Sequence, residues 1–134
     1  MTQPNSSKKF IFNEKIDGEY LYSLYEDDYQ YVEEVFGTTL KHLDGDLDAL
    51  HQAFQAGDTG ALKRAIHKLK PTFGFVGLPA LQQICKEFED ICQIATDTDE
   101  VKAQYQQIVP TLAAGKELIA DQYTKLKEYN ANPV

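Results

Sequence analysis

The 134-residue chain lacks most of what membrane insertion or nucleotide chemistry requires. No apolar run is long enough for a bilayer span or a secretory leader. No glycine loop of the Walker or kinase type occurs, so no ATP-dependent kinase activity is expected. Alternating apolar and polar positions of useful length are missing, which argues against sheet. There are two cysteines, Cys85 and Cys92, seven residues apart on one expected helix. That spacing separates them by roughly 10 Å along the axis, too far for a disulfide. They align with Leu81, Ile84, Phe88 and Ile91, and are expected to be buried free thiols in a reducing cytoplasm.

Positive charge is scarce as well. Thirteen Lys and Arg face 21 Asp and Glu, for a net charge of −8, which argues against nucleic acid and anionic membrane as partners. One segment reverses the balance. From Gly60 to Lys86 there is no acidic residue, while Lys63, Arg64, Lys68, Lys70 and Lys86 all fall inside it. A basic patch on an acidic chain points to a specific anionic partner site.

What the sequence has in quantity is helical periodicity. A short helix is expected near residues 18–25. From Asp28 the positions Val32, Val35, Phe36, Leu40, Leu43, Leu47, Leu50 and Phe54 keep a three-four spacing across Gly37 and Gly45, predicting one long helix. Gly57 ends it and Asp58 can cap a third helix over 59–76. Gly77 stops that helix, and Pro79 opens a fourth that runs to about residue 95. The stretch Asp97 to Glu100 resembles a capping box. It precedes a last helix marked by Val101, Tyr105, Ile108, Leu112, Leu118 or Ile119, and Leu126, with a kink expected at Pro110. Short connections between long amphipathic helices predict an all-α fold, an up-down-up-down antiparallel four-helix bundle with a short additional N-terminal helix. Residues 1–15 read as a loose tail whose Phe10, Ile11 and Phe12 can dock, residues 16–130 as the bundle domain, and 131–134 as a C-terminal tail.

The third helix carries an oddly placed histidine. At about 100° per residue, Leu62, Ala65, Leu69, Phe73 and Val76 share one side, and Lys63, His67, Lys70, Pro71 and Gly74 the other. His67 should therefore face water. The run around it resembles the histidine-containing phosphotransfer (HPt) domain family of two-component phosphorelays. The family's His is followed by Leu or Ile two residues on, Lys three on, a Gly near the helix end and a Leu four after that. Here these are His67, Leu69, Lys70, Gly77 and Leu81, with Asp58, Leu62 and Ala65 in the usual upstream places. Pro71 stands where the family usually has Gly.

The resemblance implies the same four-helix bundle and a phosphorelay intermediate. His67 would accept a phosphoryl group from a receiver-domain phospho-aspartate and pass it to another receiver. Its partners would be the receiver domains of response regulators and of a hybrid histidine kinase, and the receiver would bring the Mg2+, leaving this chain without cofactor or metal. An imidazole suits the task because its unprotonated nitrogen is nucleophilic near neutral pH. Lys70, one turn away on the same face, can neutralise phosphoryl charge. Lys63, Arg64, Lys68, Pro71, Gly74 and Phe75 are expected to meet the partner. Gly74 would leave room for it, Phe75 would be an apolar anchor, and Gln82 or Gln83 could reach the His67 ring. The chain is expected to be monomeric and cytoplasmic.

Two other readings compete. A non-catalytic helical adaptor would bind receivers without transfer, a reading that Pro71 keeps open. A di-metal bundle enzyme would need two acidic-x-x-His pairs, and only Asp48 with His51 has that spacing.

Overall fold

A computed structural model describes residues 9–132. Three aspartates set the starts of its first three helices, α1 (Gly18–Tyr25), α2 (Tyr29–Gln55) and α3 (Thr59–Phe75). The side chains of Asp17, Asp28 and Asp58 accept hydrogen bonds from the backbone N–H groups of Tyr20, Tyr31 and Ala61 at 2.9, 3.1 and 3.0 Å. Such a cap contributes about 1 kcal/mol. α4 (Pro79–Ile94) has no side-chain cap and opens on its proline.

α2 and α3 end alike. Gly57 and Gly77 adopt left-handed φ values of 69° and 74°, a region that costs glycine little. Asp58 N–H reaches Ala53 O at 3.1 Å and Leu78 N–H reaches Phe73 O at 2.9 Å. Gly57 and Gly77 donate in parallel to Phe54 O and Gly74 O, so both ends are Schellman closures. Asp58 thus closes one helix and caps the next, which keeps the α2–α3 turn short and the helices antiparallel.

The expected capping box forms a 3₁₀ turn, Thr98–Val101, ahead of α5 (Lys102–Ala131). Asp97 accepts from Glu100 N–H at 3.2 Å, and Glu100 reaches back to Thr96 N–H at 3.0 Å. α5 is assigned as one helix through Pro110, as α3 is through Pro71.

Helices α2 to α5 form the bundle, each packed on its neighbours in the ring α2, α3, α4, α5, and among the described residues there is no strand. Its core includes Phe36, Leu43, Leu62, Ile66, Leu69, Phe73, Cys85, Leu112, Ile119 and Leu126, all essentially closed to solvent. A fully buried side chain of this size is worth about 1.5–3 kcal/mol, so the core outweighs the caps. Ile119, not Leu118, holds the buried register on α5.

α1 lies across the α3–α4 turn. Asp17 N–H donates to Gly77 O at 2.8 Å and the Tyr25 hydroxyl to Phe75 O at 3.0 Å. Ahead of it, Phe10 packs edge-on against Tyr129 at 5.7 Å, Phe12 stacks on Phe36 at 6.1 Å, and Asn13 N–H donates to buried Gln122 at 2.9 Å. Of the expected 1–15 tail, Phe10 and Phe12 are seated on the bundle, Ile11 is exposed, and residues 1–8 lie outside the described ones. No helix among the described residues is long and apolar enough to cross a membrane.

Candidate functional site

His67 lies mid-way along α3, one residue after buried Ile66, with its side chain 66% exposed. Its ring is nonetheless held. Nδ1 lies 2.6 Å from Oε2 of Glu89, on α4, and the other oxygen of that carboxylate accepts from Lys70 Nζ at 2.8 Å. Glu89 is only 12% exposed and Lys70 27%. Burial alone would raise the Glu89 carboxyl, but hydrogen bonds from Lys70 and His67, with their charges, outweigh it and hold the group below the usual carboxylate range. The carboxylate is therefore ionised at neutral pH and can only accept. Nδ1 must then carry a proton, so in the neutral ring Nε2 is the unprotonated nitrogen.

The remaining expected residues do not form one surface. Lys68 pairs with Asp46 of α2 at 3.1 Å. Phe75 is exposed beside Leu24, Tyr25 and Tyr31 around an open groove between α1, α2 and α3. Lys63 and Arg64 line a shallow depression of about 510 Å³ together with Gly60, His67 and Glu89. Pro71 is exposed and, lacking an N–H, offers no helical donor to the carbonyl of His67.

Gly74 requires a correction. It does not open toward a partner but is buried against α4, where a Cβ would come within 3.0–3.2 Å of the Gln82 side-chain amide. The helical wheel places it near His67 correctly. However, α4 starts just beyond the Gly77 turn and covers that stripe at its end, while His67, farther from the turn, stays open. The Gln82 amide thus lies over Gly74, and Gln83 donates to Glu87 at 3.2 Å; the ring's partner is Glu89.

Glu89 is the site residue that the sequence reading missed. Its signal is register. In a helical hairpin, residues equidistant from the turn face each other. Gly74 and Gln82 are each four residues from Leu78, and His67 and Glu89 are each eleven.

The other groups stand apart. Cys85 and Cys92 are free and buried, and burial pushes their thiols up to about 12 and about 11. His51 Nδ1 meets the Tyr105 hydroxyl at 3.1 Å, and Tyr105 stacks on Phe54 at 3.9 Å. Among the described residues no group of three or more His, Cys, Asp or Glu is placed to hold a metal ion.

A family model described as the Hpt domain matches residues 34–129. The fold is similar to the HPT domain of an Hpt sensor hybrid histidine kinase from Shewanella, with a TM-score of 0.71 and 15% identity over 83% of this chain and 95% of that one. It is also similar to histidine-containing phosphotransfer protein B of Pseudomonas aeruginosa PAO1, with a TM-score of 0.71 and 22% identity over 87% of this chain and 97% of that one. At these identities the two structures speak to the fold alone. Comparison with curated proteins gives no match. The family match spans well over half of the sequence and includes the His67 helix, so the chain belongs to the Hpt domain family, the phosphorelay intermediates that carry phosphoryl groups on histidine and are not themselves kinases.

Proposed function

We propose that His67 is the residue phosphorylated in this chain, that Nε2 is the accepting atom, and that the donors and acceptors are aspartates of receiver domains. The single observation that carries this is the Glu89 contact to Nδ1 on an otherwise open imidazole. Nε2 attacks phosphorus as the P–O bond to the donor aspartate breaks, and the aspartate leaves as a carboxylate. A P–N bond forms while the proton stays on Nδ1. With both nitrogens substituted the ring is cationic, and the Glu89 carboxylate lies against that charge. In the onward step the P–N electron pair returns to Nε2 as a second aspartate takes the phosphoryl group. The protein contributes position and charge, which is most of what phosphoryl transfer asks of it.

Lys70 serves this by fixing Glu89 and offsetting its charge. Lys63, Arg64 and Lys68 favour an acidic receiver pocket, and Phe75 supplies apolar contact beside it. The site needs no residue from a second copy, which supports a monomeric relay, and free buried thiols fit a cytoplasmic setting. The partners are the receivers of a hybrid kinase and of response regulators.

A pulse-chase tests the proposal. Label from one phosphorylated receiver should appear on the chain and then on a second receiver, and His67→Gln should abolish both steps. A wild-type chain that binds receivers but never carries label is an adaptor, and the proposal fails.

A further inference from the structure

The acid-free stretch that includes His67 holds five basic side chains, and their partners divide them. Lys68 is paired with Asp46, Lys70 with Glu89, and Lys86 with Asp90 at 3.0 Å. Lys63 and Arg64 have no ion pair or side-chain hydrogen bond among the described residues. These two line the depression beside His67, and Lys70 does not line it.

Helical side chains lean toward the helix N-terminus, so His67 covers the turn before it, which is the turn of Lys63 and Arg64. Lys70 approaches His67 from the other side and spends its charge on Glu89. Gly60 also lines the depression, and a Cβ there would come within 3.4 Å of an Arg64 guanidinium nitrogen and 3.5 Å of an Asp58 carboxylate oxygen. With Nδ1 turned to Glu89, the ring shares the depression with two cations that have no ion pair, Lys63 and Arg64, the Glu89 carboxylate lining it and that of Asp58 lying beside Gly60.

Resting on the reading of His67 as the phosphorylated residue, we infer that its phosphoryl group is seated in the Gly60–Lys63–Arg64 depression, with the Lys63 ammonium and the Arg64 guanidinium, rather than Lys70, taking the phosphoryl oxygens. Arg64 suits this because a guanidinium can bind two oxygens at once, and Lys63 adds a point charge. The seat also explains why a helix so rich in positive charge leaves just this pair uncompensated.

Potassium phosphoramidate, a small anionic donor that needs no receiver, is the probe. The full-length chain is loaded with it and compared with a Lys63→Gln/Arg64→Gln double variant and with Lys70→Gln, helix content being checked for each. Loss of the two oxygen contacts should slow loading of His67 about tenfold or more, and loading should shift the Lys63 and Arg64 side-chain nitrogen resonances in the wild type. Lys70→Gln should slow loading less than the double variant does. Equal rates for wild type and double variant, or shifts at Lys70 without shifts at Lys63 and Arg64, overturn the inference. A chain that loads from phosphoramidate with the expected shifts yet takes nothing from a phosphorylated receiver keeps the seat and loses the relay.

Discussion

Glu89 on α4 holds Nδ1 of His67 on α3 at 2.6 Å, so the ring exposed to solvent is fixed from the neighbouring helix. The same carboxylate takes Lys70, and one half-buried acid therefore holds both His67 and Lys70 of the family motif.

Removing that carboxylate should damage transfer more than folding. Glu89→Ala frees the ring to adopt either tautomer and leaves Lys70 without its anion, and should slow transfer from a phospho-receiver by about ten- to hundredfold. Glu89→Gln keeps an oxygen that can accept from Nδ1–H and should lose less. Nitrogen-resolved NMR of the imidazole should find the proton on Nδ1 in wild type and a mixture in Glu89→Ala. Identical tautomers and rates in both would remove Glu89 from the site.

Acid should weaken the same link. The Glu89 carboxyl is held below its ordinary value despite the opposing effect of burial. Its contribution to stability is thus fully present above the unfolded-state value of about 4.3 and is lost as pH falls through the folded value. Urea unfolding at neutral pH should find wild type more stable than Glu89→Gln by on the order of 1 kcal/mol, with the gap closing as pH falls through the lowered value of the folded carboxyl. A gap that persists unchanged in acid contradicts the ion-pair reading.

How far the sequence reveals this protein depends on the scale of the contact. Helix starts at Asp17, Asp28 and Asp58 and stops at Gly57 and Gly77 are local chemistry, and periodicity identified core positions from Val32 to Leu126. The outward placement of His67 was legible because it depends on the periodicity of one helix. Glu89 was not, because its role arises only when α4 folds back on α3 about Leu78. Gly74 was misread for the same reason: a wheel assigns a face but not which part of it the next helix covers. Ile66, outside the expected apolar set of α3, is buried because the bundle contacts that helix from more than one side.

Gly74 gives a direct check of that packing. In Gly74→Ala the new methyl meets the flexible end of Gln82, and the helix-propensity gain of up to about 1 kcal/mol offsets the adjustment, leaving stability near wild type. Gly74→Leu must push α4 away and should cost about 1–3 kcal/mol. Thermal denaturation of both variants separates the cases, and a fully tolerated leucine would mean that the position faces solvent after all.

Cys85 and Cys92 should react slowly with thiol reagents. Burial keeps both thiols protonated, with values near 12 and 11, and only the thiolate is nucleophilic. Labelling at neutral pH should accelerate by orders of magnitude on addition of denaturant. Native rates close to unfolded ones would contradict the α4 register, and with it the placement of Glu89.

The central claim, that His67 carries the phosphoryl group on Nε2, is tested most directly by phosphorus and nitrogen NMR of the intact chain after exposure to a phosphorylated receiver. The account predicts one phosphohistidine signal, bonded through Nε2, absent from His67→Gln and absent when ATP alone is supplied. Signal on Nδ1, on His42 or His51, or on no histidine at all while the receiver is bound would contradict it.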